Sequence, residues 1–198
     1  MEKEQPATPR PAATVILLRR GGKHSDRGLE VCMVRRNLEA RFMPGVWVFP
    51  GGAVDEADGT DEPGFRACAV RELHEEAGIE VDASELVAYS RWITPRVVPI
   101  RFDTRFYLAL APAHSPPTPD GSETVEAGWF SAADALDAHG RDEMALVFPT
   151  IKHLESLLPY ANAAEALEAA RRREVRPVEP RVVGEGKDQR IELPDELP

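Results

Sequence analysis

The stretch Arg71-Glu72-Leu73-His74-Glu75-Glu76-Ala77-Gly78-Ile79 decides how this chain is read. On a helix, at about 100° per residue, Glu72, Glu75 and Glu76 fall within an arc of roughly 100°, while Ala69, Val70, Leu73 and Ala77 gather on a neighbouring arc suited to a core. The helix therefore buries one stripe and presents acid on another. Three carboxylates so close repel one another and take up protons unless a hard, oxygen-preferring divalent ion such as magnesium neutralises them. The cluster reads as a metal platform. Taken alone, the same string also describes a solvated acidic face, so the flanking sequence has to decide.

The flanks favour the platform. Asp61 can cap and Pro63 can open a helix that Gly78 ends from the C′ position, which puts the acids in its last turns. Upstream, the strand Val46-Trp47-Val48-Phe49 runs into Pro50-Gly51-Gly52, whose glycines permit a backbone turn and a loop. Residues 14–20 and 29–36 form a hairpin-like pair of strands across Gly21 to Gly28. Strands follow at Leu86 to Arg91, Arg101 to Ala109 and Ala127 to Phe130, the last after a Pro-rich loop over 111–125. Helices are expected from the Ser131 cap to Gly140, from about Thr150 to Leu158, and from the Asn162 cap to about Arg173. The expected organisation is a flexible N-terminus over 1–12, one domain over 13–173, and a Pro- and charge-rich tail over 174–198. Within the tail, Arg181-Val182-Val183 and Arg190-Ile191-Glu192-Leu193 suit a hairpin packed on the domain.

The 198 residues, 42% of them hydrophobic, suffice for one domain with a substantial core. Their 24 basic and 34 acidic residues give a net charge of −10, which argues against nucleic-acid polymers and anionic membranes as partners. A small anionic substrate remains compatible, because the local field of a metal and a few arginines matters more at a site than net charge. Cys32 and Cys68 sit in apolar contexts and read as packing residues of a reducing compartment. The run Val15-Ile16-Leu17-Leu18 is too short for a signal core or a membrane span, so a soluble cytoplasmic protein is expected.

Gly51-Gly52 followed by the string from Arg71 to Ile79 resembles the box of the Nudix hydrolase superfamily. The resemblance implies a Nudix α/β/α sandwich, an α/β fold with a central mixed sheet, and metal-dependent hydrolysis of a nucleoside diphosphate linked to another moiety. The family pattern leaves thirteen residues between its last glycine and its arginine, whereas Ala53 to Val70 is eighteen. Counted back from Arg71, the family's distal glutamate falls on Pro63, which makes the adjacent Glu62 its expected replacement as a metal ligand. Arg36-Asn37, Arg41, Gly45 and Phe49-Pro50-Gly51-Gly52 are similar to the signature of coenzyme A diphosphatases, with Asn37 where serine is usual. Phe42-Met43-Pro44-Gly45, Ala53-Val54-Asp55, Trp92-Ile93-Thr94-Pro95 and Arg101-Phe102-Asp103-Thr104 look like the peroxisomal acyl-coenzyme A diphosphatase branch and its bacterial relatives. The terminal Glu196-Leu197-Pro198 does not read as a peroxisomal address.

By that resemblance, Glu72, Glu75 and Glu76, with the Gly51 carbonyl, hold Mg2+ or Mn2+, and Arg71 orients the glutamates. Glu123 and Glu126 are candidates for a further base or metal ligand. Arg36, Arg41, Gly52 and Arg96 are the substrate-binding candidates, with Arg96 and Arg101 the weaker of the arginines. Exposed ion pairs are the plain alternative for these arginines, as a surface helix position is for His74 and core packing is for Trp47, Trp92 and Trp129. The first expected substrate is coenzyme A or an acyl-coenzyme A, split into an adenine nucleotide and a phosphopantetheine part. The alternatives are ADP-ribose, nucleotide sugars or dinucleotides, and, in another class, a non-catalytic ligand-sensing Nudix module. An isoprenoid diphosphate isomerase is disfavoured because its cysteine should follow the first strands, whereas Cys32 lies within one. The sequence leaves a homodimer open.

Overall fold

The computed structural model describes residues 6–21, 28–184, 186 and 189–194. Its centre is β1 (Arg10–Arg20), in which every residue from Ala12 to Leu18 is buried. Alternation along the strand assigns its side chains to two cores. Val15 and Leu17 pack on one face with Leu73 and Ala69, and Ile16 and Leu18 pack on the other with Leu154 and Leu167. A strand apolar on both sides needs cover on both sides. The cover is α1 (Glu62–Ala77) on the first face, and α2 (Ala132–Gly140), α3 (Phe148–Leu157) and α4 (Ala163–Arg171) on the second. Asp61, Ser131 and Asn162 cap α1, α2 and α4 with their side chains, as expected from the sequence, while α3 starts two residues earlier than expected around Pro149.

The sheet is mixed. β1 runs parallel to β6 (Phe102–Leu110) from the pair Arg10 and Phe102 to the pair Leu18 and Leu110. Antiparallel to it, β2 (Leu29–Arg36) pairs only over Leu18–Arg20 before the two strands part. β3 (Trp47–Val48) on β2 and β4 (Gly51–Ala53) on β1 fill that gap. β5 (Val87–Ile93) lies beyond β6, β7 (Thr124–Ser131) pairs with the outer edge of β2, and β8 (Pro177–Val178) runs parallel to β5. The eight strands form one α/β/α sandwich with a central mixed sheet.

Three details differ from the sequence reading. β1 begins at Arg10, within the segment expected to be flexible, because the parallel partner Phe102–Thr104 gives its backbone hydrogen-bonding groups somewhere to go. Gly51–Ala53, expected as a loop, is a short strand against Ala12–Thr14. The tail contributes a strand to the main sheet, β8, besides the pair β9 (Arg181–Val183) and β10 (Arg190–Glu192). The expected turn at 22–27 lies outside the described residues. Cys32 and Cys68 are free and buried, and burial pushes both thiols up to about 12. No helix among the described residues is long and apolar enough to cross a membrane.

On the far side of the sheet, His153 is buried among the rings of Phe49, Tyr89, Trp92 and Phe106, with Nε2 2.6 Å from the Ser90 hydroxyl. Burial drives its pKa down to about 3. The unfolded chain protonates this histidine near pH 6.5 and the folded one does not, so its contribution to stability is complete above about 6.5 and is lost as the pH falls towards 3. His153→Phe is expected to lose less stability than the parent between pH 6.5 and 4. Denaturant midpoints measured across that range check it, and parallel slopes for the two proteins would refute it.

Candidate active site

Capping at Asp61 and a left-handed Gly78, φ 66°, fix both ends of α1. Its apolar stripe of Ala69, Leu73 and Ala77 is anchored on β1, which turns Glu72 and Glu76 towards β4 in the gap of the sheet. The glycines there permit contact that no other residue would. A Cβ on Gly52 would lie 2.4 Å from the Glu72 carboxylate, and one on Gly51 would lie 2.3 Å from the Thr14 hydroxyl. The Gly51 amide donates to Glu76 Oε2 at 2.9 Å.

Glu76 is only 4% exposed. Burial, reinforced by the charges of Glu72 and Glu123 and opposed by the Gly51 amide and Arg36, pushes its carboxyl up to about 8. Burial also raises Glu72, against the hydrogen bond and charge of Arg71 and with the repulsion of Glu75 and Glu123. Two neighbouring carboxyls thus hold protons more tightly than they would in water, which marks a pocket short of positive charge.

Arg71 accounts for the placement of the acids. Its Nη1 donates to Glu72 at 2.8 Å and to Glu75 at 3.0 Å, and its Nε and Nη2 hold both oxygens of Asp58 at 3.3 and 2.8 Å. The hydrogen bond to Arg71 keeps Asp58 below the usual carboxylate range, and Asp58 in turn raises Arg71. Asp58 is therefore the partner of the box arginine, and the sequence reading missed it. Counting forward from Gly52 with the family's own spacing reaches Asp58, so the five extra residues lie after this acid rather than before it. The expectation for Glu62 is corrected. It sits in the first turn of α1, about 15 Å along the axis from Glu72, bound to Arg66, Arg105 and the Tyr107 hydroxyl.

The loop before β7 brings Glu123 to the same cavity as Glu72 and Glu76. Asp120 organises that loop: burial raises its carboxyl, but hydrogen bonds from Ser122, Glu123 and Thr124 hold it well below the ordinary range. Thr124 donates to the Glu76 carbonyl at 3.0 Å, and Asn37 binds the Ser122 and Glu123 carbonyls through its side-chain and backbone nitrogens. Asn37 thus secures the loop. Glu126 instead pairs with Arg35 at 2.5 Å. Arg36 lines the cavity, as does Gly52, with Arg36 Nε held by the Phe42 carbonyl. Arg41 is exposed and stands outside the cavity lining, while Arg96 and the buried Arg101 both pair with Glu179 of the tail. His74 is exposed near Glu80, and Trp47 and Trp92 are core residues. Trp129 is half-buried beneath the Arg19 guanidinium.

The cavity measures about 520 Å3 and joins the acids at one end to Phe42, Phe49, Phe102 and Phe106 at the other. Its oxygen donors and raised carboxyls suit a hard divalent cation in chemistry. In arrangement, no group of three or more His, Cys, Asp or Glu among the described residues is gathered as a metal-holding cluster, and Glu75, half-exposed, is bound to Arg71.

A NUDIX domain model matches residues 8–151, the range that contains this helix, the glycine strand and the loop of Glu123. The chain belongs to the NUDIX family. It is 30% identical over 162 residues to nudix hydrolase 7 of Caenorhabditis elegans, covering 64% of this chain and 55% of that one. It is 31% identical over 110 residues to the NAD-capped RNA hydrolase NudC of Pseudomonas aeruginosa, covering 56% of this chain and 34% of that protein. The matched regions thus span about half or less of these relatives. Among solved structures, a NUDIX hydrolase from Alicyclobacillus acidocaldarius matches with a TM-score of 0.72 at 28% identity, over 81% of this chain and 96% of that one. The NUDIX domain of Shewanella oneidensis NrtR, crystallised with ADP ribose, shares the fold with a TM-score of 0.58 at 19% identity, over 75% of this chain and 86% of that one.

Within this NUDIX site, Asp58 and Asp55 offer an internal comparison, since Asp55 is mostly exposed and 3.6 Å from Arg71. Asp58→Ala is expected to remove about 1.5–3 kcal/mol of stability, the range for hydrogen bonds to charged groups, and to lower turnover at least tenfold, while Asp55→Ala changes either little. Denaturation curves and initial rates on the two variants test this. Equal effects would show that Arg71 is not held through Asp58.

Proposed function

We propose that this NUDIX protein hydrolyses the diphosphate bridge of a nucleoside diphosphate derivative, and that its substrate is coenzyme A or an acyl-coenzyme A. The observation that carries this reading is the shape of the chemistry in the cavity. A charge-starved pair of carboxyls, Glu72 and Glu76, meets Arg36 at one end, and an aromatic and aliphatic surface extends from there. A pantetheine arm asks for few hydrogen bonds along its length. A second ribose would present more hydroxyls than Thr94, Thr104 and Thr150, the few polar groups beside the aromatic wall, can pair, at a cost in specificity.

Glu72, Glu75 and Glu76, with the Gly51 carbonyl, would hold magnesium or manganese. When bound, the metal supplies charge to the phosphate oxygens and lowers the pKa of a bound water. The chain's residues do the rest. Arg71 holds Glu72 and Glu75 in place, and the Gly51 amide orients Glu76. Arg36 lies where a second phosphate would need a counter-charge. Glu123 faces the same space and is the candidate proton acceptor, a role for which Glu126 is ill placed because it is tied to Arg35. Phe42 and Phe102, with ring centroids 6.1 Å apart, offer the adenine an aromatic wall.

A second reading, ADP-ribose or a dinucleotide as substrate, is favoured by the likeness to a hydrolase of NAD-capped RNA and to a NUDIX domain crystallised with ADP ribose. A panel of coenzyme A, ADP-ribose and diadenosine compounds with magnesium, with the products identified, separates the two. Intact coenzyme A beside rapid cleavage of ADP-ribose would sink the first. Glu72→Gln and Glu76→Gln are each expected to lower turnover at least about 100-fold while ligand binding persists. Unchanged turnover would instead remove these acids from the mechanism, whereas ligand binding without turnover in the parent would favour a sensing role.

A further inference from the structure

A second cavity of about 270 Å3 adjoins the first, and seven residues, Thr94, Thr104, Phe42 and Phe106 among them, line both. Its floor is Trp92 and Phe148, and its outer wall is Pro180, Val182 and Ile191. That wall comes from the tail, beyond the residues that the NUDIX model matches. The catalytic end is thus built within the matched range, whereas the far end is closed by a segment outside it.

The tail is held there by specific contacts. β8 pairs with β5 at Arg91 and Trp92, and the Val178 side chain enters the core. One residue on, Glu179 accepts from Arg101 Nη2 at 2.7 Å, and Arg101 also donates to the carbonyls of Thr94 and Ala7 at 2.9 and 2.8 Å. Buried to 7% exposure, Arg101 clasps the tail, the β5–β6 connection and the N-terminal segment together. The wall it secures offers a ligand almost nothing but carbon, with Thr94 and Thr104 as the hydroxyl-bearing residues of the lining. Met43, Ile100 and Ile191 remain 37%, 46% and 40% exposed around the two cavities, an apolar surface open to solvent.

We propose that the tail from Pro177 to Leu193 is the specificity wall of the diphosphate site, and that the cavity it closes takes an apolar chain carried on the half of the substrate remote from the nucleoside. The proposal rests on reading the adjoining cavity as a diphosphatase site. A wall without polar partners selects by area: each methylene moved from water to the wall favours binding about fourfold, and a polar group gains nothing. Val182 and Ile191 are the side chains that set the selection, and Glu179 positions them through Arg101.

The test compares kcat/KM for decanoyl-coenzyme A and for coenzyme A, each with magnesium, on the full chain and on Ile191→Ser, Val182→Asp and Glu179→Gln. The ratio of two substrates on one preparation is independent of the fraction of protein folded. In the parent it is expected to be at least tenfold and to arise in KM. It is expected to fall to within about twofold in Val182→Asp and to intermediate values in the other two. A ratio near one in the parent, or a ratio that no variant changes, would overturn the wall and leave the diphosphatase reading intact. If the parent cleaves ADP-ribose but neither thioester nor free coenzyme A, the substrate reading falls and the wall is judged by inhibition of ADP-ribose cleavage. Competitive inhibition by decanoyl-coenzyme A at least tenfold stronger than by coenzyme A, lost in Val182→Asp, would support it, and equal inhibition would overturn it. Cleavage of no diphosphate at all would overturn both.

Discussion

Four groups that would otherwise repel or drift are held by one guanidinium. Arg71 binds Asp58 through two nitrogens, Glu72 and Glu75 through a third, and reaches the Ala53 carbonyl at 3.4 Å. A planar fork with five fixed donors can satisfy such a set, whereas an ammonium on a flexible stem cannot hold the same directions. Because Ala53 ends β4 and Glu72 lies on α1, the guanidinium joins the glycine strand to the acid helix across the gap in the sheet. It also confines Glu72 to a place that a Cβ on Gly52 would invade. The acid helix, the glycine pair and the loop of Asp58 are thus one mechanical unit.

That unit is electrostatically costly by itself. Burial of Glu76 and partial burial of Glu72, with their mutual charge and that of Glu123, raise both carboxyls, so folding tolerates a cluster whose charged form is unfavourable without a counter-ion. The tolerance comes from the two cores on either side of β1, which fix α1 independently of its acids. A site strained in charge on a scaffold secure in packing is the arrangement expected where an arriving ligand supplies the missing charge.

How much of this was legible in the sequence follows from the range of each interaction. The caps at Asp61 and Gly78, the strand pair and the acid stripe are local, and periodicity and turn chemistry disclose them. Asp58 was hidden because an insertion shifts the spacing, and counting back from Arg71 leads to Glu62, a residue the fold uses to satisfy Arg105 and Tyr107. Asn37 reads as a lapse from a signature until the structure shows it binding the carbonyls of the Glu123 loop. The arginines were the least legible. Arg36 lines the cavity, but Arg96 and Arg101 are engaged by Glu179, about 80 residues downstream, and no local pattern announces a partner so distant.

The placement of Glu123 shows why the acids of the box and the loop before β7 have to be considered together. The loop is fastened to α1 by Thr124 on the Glu76 carbonyl and Thr118 on the Ala77 carbonyl, and to β2 by Asn37. Glu123 is therefore tied both to the last turn of α1 and to the end of β2, although it lies on a loop of the kind that is ordinarily mobile. Its neighbour Glu126 has crossed into β7 and pairs with Arg35 across the strands, which withdraws it from the cavity. Two residues of chain, Thr124 and Val125, thus separate an acid poised over the box from one committed to the sheet. The β7 boundary at Thr124, set by where Asp120 turns the backbone, decides which is which.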